Sequence, residues 1–200
     1  TDLAGNGMHI HMSLLDENGN NVFSNPDDIT GSSALHHAIG GMLENMNESM
    51  VIFCPNVNSY RRFQPNLFVA MAPTWGVDNR TVAVRIPTGP EESKRLEHRL
   101  AGADANPYLV AAALLSGVHY GITKKIKPPE ISTGDASKDN PSSLPLSLLE
   151  SLNTFKQSAF IKEYFGKDFR NHYHIFKSVE MERFNRHVTS LELDWYLRTV

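Results

Sequence analysis

Two short runs have a two-residue pattern of polar and apolar side chains, broken only by His98 in the second, and they constrain the fold more than any other feature. From Met8 to Leu14, Met8, Ile10, Met12 and Leu14 fall on one side and His9, His11 and Ser13 on the other. In the second run, Arg95, Glu97 and Arg99 share one side, and Leu96, His98 and Leu100 share the other. A two-residue period belongs to strands with one face on a core. The chain therefore needs a sheet whose free face carries imidazoles, guanidiniums and a carboxylate.

Other segments fill in around these strands. Asp16-Glu17-Asn18-Gly19 is a turn signal, and Val22-Phe23 suggests a return strand. Ser32 or Ser33 can cap a helix to about Met50, with Leu35, Ile39, Met42, Leu43 and Met46 as its apolar stripe. Residues 56–78 show no clean periodicity and read as loop. Thr81 to Ile86 forms a further strand, joined to the Arg95 run by the turn-like Pro87-Thr88-Gly89-Pro90. Asn106-Pro107 opens a helix to roughly Ile126, apolar nearly all round at its start and so expected to lie deep. Lys127 to Leu144 is rich in Pro, Ser, Gly and Asp, the best candidate for mobility. Helices follow over 146–155 and 159–164. A longer one after Gly166 has the stripe Phe169, Tyr173, Phe176, Val179 and Phe184, and a short one covers 191–197.

Composition narrows the functional classes. At 200 residues, 40% of them hydrophobic, the chain can bury one core. A net charge of −3 gives no global basic field for nucleic acid. Cys54 is the single cysteine, so no internal disulfide can form, which fits a reducing compartment such as the cytoplasm. No apolar run approaches the ~20 residues of a membrane span. A chain opening on Thr1 looks like a fragment or a processed product.

Taken singly, the chemical motifs have plain structural explanations. His9 and His11 fit an incidental solvent-facing strand, and Arg95, Glu97 and Arg99 fit a solvated face of cheap ion pairs. Arg80 and Arg85 bracket a strand but fall on opposite faces. Either the strand begins after Arg80 or a bulge intervenes. Asn58-Ser59-Tyr60-Arg61-Arg62 is a basic patch in a loop, and Asp104-Ala105-Asn106-Pro107-Tyr108 is helix-start chemistry. Taken together, several arginines, two histidines and a carboxylate suit a metal-assisted reaction on phosphate and carboxylate groups. There is no Walker-type phosphate loop and no G-x-S-x-G elbow.

In this order, the motifs resemble the glutamine synthetase catalytic domain. Gly7-Met8-His9-Ile10-His11-Met12-Ser13-Leu14 resembles its G-M-H-x-H-x-S-L signature, and Asn58 to Arg62 its N-S-Y-[KR]-R. Asn79-Arg80 through Arg85-Ile86-Pro87 resembles N-R-S-x-x-x-R-I-P, Arg95 to Arg99 resembles R-[IL]-E-x-R, and Asp104 to Tyr108 resembles D-x-x-A-N-P-Y.

The resemblance implies an α+β fold, with antiparallel strands lining the active site, packed helices and a helical C-terminal tail. It also implies that residues 1–200 are the C-terminal portion of that domain, with the N-terminal domain and the first part of the catalytic domain absent. Such a fragment is expected to be inactive alone. The implied activity is ATP-dependent joining of glutamate to an amine through γ-glutamyl phosphate, with Mg2+ or Mn2+. The family works as a ring-shaped homo-oligomer. The resemblance places His9 and Glu97 on the metal, and His11, Ser13 and Arg95 on the nucleotide. It places Gly5, Arg62 and Arg99 on glutamate, with Arg80 and Arg85 facing the phosphates.

Three departures follow. Ala4 stands where the family has Asn, and a family lysine before Arg95 has no clear match. Phe68 replaces the Glu of L-x-P-G-Y-E that binds and deprotonates ammonium. The run Phe63-Gln64-Pro65-Asn66-Leu67-Phe68, with Trp75 to Thr81 and Leu193 to Leu197, is more similar to γ-glutamylpolyamine synthetases. A polyamine is therefore the expected amine and Phe68 part of its site. Ammonia and a non-catalytic relative are the alternatives.

Overall fold

The computed structural model describes residues 6–64, 67–139 and 142–199. The alternating runs form a small mixed sheet. Strands β1 (Ile10–Met12), β2 (Trp75–Val77), β3 (Val84–Ile86) and β4 (Leu96–His98) lie in the order β1-β4-β3-β2. The β1–β4 and β4–β3 pairs are antiparallel, but β3 and β2 run parallel, which the expected all-antiparallel sheet did not include. Their connection over residues 78–83 is short for a parallel pair. Asp78 at φ 48° helps turn it, and so does the Asn79 side chain, which accepts from the Thr81 backbone N at 2.9 Å. The Trp75–Val77 strand lay inside the segment read as loop. The hairpin after β1 is present: Val22 N donates to Leu14 O at 2.7 Å across the Asp16–Asn20 turn.

Helices cover the apolar face. The expected single helix from Ser32 is two, α1 (Ser33–Glu44) and α2 (Met46–Phe53), broken at Asn45. The Asn45 side chain donates to Gly41 O at 2.9 Å, competing with the backbone ladder as short polar side chains do. Helix α3 (Pro107–Lys124) is capped by Asn106 Oδ1, which accepts from the backbone N of Tyr108 and Leu109. It packs tightly on α1: a Cβ on Gly41 would stand 2.3 Å from Gly117 O, so only glycine permits this approach. Contrary to expectation, the start of α3 is not buried all round, since Tyr108 is 84% exposed and one face alone meets the core.

The tail comprises α4 (Ala136–Asp139), α5 (Leu148–Gln157), α6 (Ala159–Phe165), α7 (Lys167–Asn185) and α8 (Ser190–Tyr196). Ser147 and Ser158 cap α5 and α6 by accepting from the backbone N of Glu150 and Ile161. In α7 only the first part of the expected stripe packs. Phe169 and Tyr173 meet the core, whereas Phe176, Val179 and Phe184 are exposed, as is all of α8. The 127–144 segment is tied down where described. Trp75 Nε1 donates to Pro129 O at 2.8 Å, Ser132 N to Trp75 O at 2.9 Å, and Ser143 N to Met71 O at 3.0 Å. These bonds oppose the mobility its composition suggested.

Candidate active site

The sheet register assembles the site. His11 pairs with Glu97 across β1–β4, Glu97 with Arg85 across β4–β3, and Arg85 with Gly76 across β3–β2. Cross-strand partners share a face, so His11, Glu97 and Arg85 stand in one row on the side away from the helices. Leu96 and His98 point the other way, His98 against the Phe53 ring at 4.4 Å. The parity problem at Arg80 resolves simply: β3 begins at Val84, and Arg80 lies on the preceding turn.

Glu97 is the hub, and it is 2% exposed, not solvated. Its Oε1 lies 3.0 Å from an Arg99 Nη, 3.1 Å from His9 Nδ1 and 3.7 Å from His11 Nε2. Its Oε2 is 2.5 Å from Arg85 Nε, yet the two are misaligned and neither makes a hydrogen bond. Arg95 Nε donates to His11 Nδ1 at 3.2 Å, and Arg99 also donates to the Arg80 carbonyl at 3.1 Å. Gly7 allows the crowding, since a Cβ there would meet His9 Nε2 at 3.2 Å and Arg62 at 3.7 Å. Arg62 is buried, with a weak contact to Cys54 Sγ at 3.6 Å, its charge over the Phe63 ring, and Nε unpaired.

The cluster thus sets Arg85 and Arg99 on the Glu97 carboxylate, Arg95 on His11 and Arg62 near His9, with Arg80 close enough to be felt by Arg99. Such an excess of partly buried positive charge is the kind of surface that suits anions. Burial holds His9 below its ordinary value, with Arg99 and Arg62 adding to the effect and Glu97 opposing it. A neutral imidazole is the form that ligates metal. His9 and the open Glu97 Oε2 therefore fit as two members of a metal-ligand set. Among the described residues no group of three His, Cys, Asp or Glu could hold an ion, and a hard divalent cation takes six or more donors.

The other expected residues distribute as follows. Ser13 lies just beyond β1 on the exposed side and makes no hydrogen bond among the described residues. Gly5 and Ala4 lie outside the described residues, as do Pro65 and Asn66. Phe68 stands apart from the Glu97 hub and is 70% exposed. Sequence reasoning missed a support network. Asp104 Oδ2 accepts from Ser59 Oγ at 2.6 Å and from Asn56 Nδ2 at 3.1 Å, and Lys177 Nζ from α7 donates to Asn56 Oδ1 at 3.3 Å. This braces the 3-10 turn Val57–Arg62 that carries Arg62. The only local signal was Lys177 three residues before Glu180, with which it pairs at 2.8 Å.

The sheet and the helical tail thus define an α+β catalytic-type domain with a charged cluster on the free face of its sheet. The chain belongs to the glutamine synthetase family, with residues 1–196 matching the family's catalytic domain. It is 40% identical over 195 residues to γ-glutamylputrescine synthetase PuuA of Escherichia coli (strain K12), spanning 98% of this chain and 41% of that one. It is 39% identical to a glutamate–isopropylamine ligase of Pseudomonas sp, over 97% of this chain and 43% of the relative. Enzymes named glutamine synthetase also match, at lower identity. A solved GmaS/ADP complex superposes with a TM-score of 0.86 at 28% identity, covering 96% of this chain and 46% of that one. The chain thus spans less than half the length of the relatives it matches.

Proposed function

We propose that this chain supplies part of the active site of an ATP-dependent ligase that joins an amine, of the polyamine class, to the γ-carboxyl of glutamate. The carrying observation is the buried hub of guanidiniums around Glu97, with the likeness to γ-glutamylputrescine synthetase and glutamate–isopropylamine ligase in support. A free carboxylate resists attack by an amine. The γ-carboxylate oxygen therefore first attacks the γ-phosphorus of ATP, and ADP leaves. The amine nitrogen then bonds to the acyl carbon, phosphate departs, and the nitrogen gives up its proton to a base.

In this scheme Arg80 and Arg85 meet the charge of the transferring phosphoryl group, and Arg62 and Arg99 hold glutamate. His11, Ser13 and Arg95 face the nucleotide, a role in keeping with the ADP in the GmaS complex. His9 and Glu97 would hold Mg2+ or Mn2+, which neutralises phosphate charge. Two donors among the described residues are a partial set, so the metal needs further ligands, and in this reading the isolated chain is inactive. The apolar side chains exposed on α7 and α8 favour assembly into a ring-shaped homo-oligomer. Among the described residues no helix is long and apolar enough to cross a membrane. Cys54 is the single cysteine, in keeping with a cytoplasmic setting, and burial pushes its thiol up to about 11, which makes it unreactive.

The test is isotopic. With glutamate carrying 18O in its γ-carboxyl, the full-length ligase should pass one 18O atom into the phosphate it releases. Phosphate free of label would overturn the acyl-phosphate route.

A further inference from the structure

A second feature lies beside the turn that carries Arg80, since Thr81, the next residue, lines a cavity. A cavity of about 110 Å3 is lined by Phe68, Val69, Thr81, Asp135 and Ser137. Phe68 enters it at φ 52°, a left-handed backbone that is costly for an aromatic residue. Its ring is 70% exposed and takes no part in the core, so packing does not account for the strain.

Asp135 stands in the same cavity wall. One carboxylate oxygen accepts from Ser137 N at 3.2 Å and from Ser137 Oγ at 2.6 Å. The other meets Lys138 Nζ at 3.3 Å, and that lysine is 74% exposed. An ion pair with so exposed a partner is cheap to exchange for another cation. The Ser137 hydroxyl also holds the Asp135 carboxyl below the usual carboxylate range, so it is charged at neutral pH.

Thr81 joins the two regions. Its hydroxyl donates to Asn79 Oδ1 at 2.6 Å and accepts from Ala136 N at 2.9 Å, fixing Asp135 against the turn. The residue before it, Arg80, offers its carbonyl to Arg99 in the hub. Adjacent Cα atoms lie roughly 3.8 Å apart. One wall residue of the cavity is therefore joined through a single peptide bond to a residue that contacts the hub.

Resting on the ligase function proposed above, we infer that this cavity selects α,ω-diamines and polyamines. Phe68 packs along the methylenes and Asp135 takes the far ammonium group in place of Lys138. The near amine is left at the reacting acyl group. Phe68 supplies an apolar and cation-attracting wall, and Asp135 supplies the charge that distinguishes a diamine from a monoamine of equal length.

The experiment compares kcat/KM of the full-length enzyme for 1,4-diaminobutane, butylamine and ammonium at saturating glutamate and ATP. Wild type should favour the diamine over butylamine by about tenfold or more, the worth of one charge-assisted contact. Asp135→Asn should bring that ratio close to one, and Asp135→Glu should keep most of it. Phe68→Ser alters an exposed side chain and should lower both alkyl amines relative to ammonium. A wild type blind to the second amino group, an Asp135→Asn enzyme that keeps the ratio, or an unchanged Phe68→Ser enzyme would each overturn the inference. Ligation with any amine but no diamine preference sinks the cavity alone, whereas no glutamate-dependent ligation at all sinks the ligase function as well.

Discussion

Replacing Glu97 by Gln isolates the electrostatics of the hub. The substitution keeps size and shape but removes the one carboxylate among Arg85, Arg99, His9 and His11. The side chains of Arg85 and Arg99 are only 16% and 9% exposed, so water cannot take over the neutralising role. Leaving a buried partner charge uncompensated costs about 3–5 kcal/mol. The retained amide oxygen can still accept from Arg99, which puts the expected loss near ~3 kcal/mol. Urea unfolding in chelator-containing buffer measures it as a lower midpoint at unchanged slope. Removing the excess positive charge with Arg85→Gln in the same chain should restore part of the loss, giving a coupling of about 1 kcal/mol or more. A Glu97→Gln protein within ~0.5 kcal/mol of wild type, or strictly additive losses in the double variant, would refute the account of a charge-balanced hub.

Three further outcomes are expected. His98 is fully buried and its imidazole is pushed down to about 3 from an ordinary 6.5, chiefly by burial and then by Arg62 and His9. Its contribution is therefore complete above pH 6.5 and is lost as pH falls toward 3, by ~2 kcal/mol at pH 5; a His98→Phe variant with the same pH dependence of unfolding would contradict this. Asp104→Ala removes the acceptor of Ser59 and Asn56 that braces Arg62. It should raise the glutamate KM of the full-length enzyme several-fold with little change in kcat, and a pure kcat defect would argue against the bracing role. Arg62→Ala should likewise raise the glutamate KM, whereas Arg80→Ala should lower kcat, each by ~1.5–3 kcal/mol of lost charge-assisted bonding; unchanged glutamate and ATP kinetics in both would remove the assignment.

Much of the site was legible because strands have a strict two-residue period. The alternation grouped His9, His11 and Ser13 on one side of the first run and Arg95, Glu97 and Arg99 on one side of the second, and the register then set His11 opposite Glu97. The burial of Glu97 was not legible. Local sequence shows Arg95, Glu97 and Arg99 as a charged face, while Arg85 and His9 come from other strands or from beside them. Strand β2 was missed for a related reason. Trp75-Gly76-Val77 is too short to show a period, and its pairing partner Val84–Ile86 defines it.

Helical features failed where polar side chains or missing neighbours decide. Asn45 interrupts an apolar stripe that runs on through Met46 and Met50, and its side-chain bond to Gly41 O is a local choice that periodicity cannot display. The stripe on α7 is real as a pattern, yet Phe176 and Phe184 lie outside the packed core and stay exposed. Composition misled at 127–144, where prolines, serines and Gly134 suggested looseness. Backbone carbonyls there accept from Trp75 and Asn79, and these long-range bonds also bring Asp135 beside Phe68.

The most direct measurement is amine-dependent product formation by the full-length enzyme. Glutamate and ATP are held saturating while ammonium, putrescine and spermidine are varied, and γ-glutamyl amide and ADP are quantified together. The expected result is one ADP per γ-glutamyl amide, no turnover without glutamate, and a higher kcat/KM for a polyamine than for ammonium. A preference for ammonium, or ATP turnover that ignores glutamate, would contradict the assignment of this chain to a glutamate–polyamine ligase.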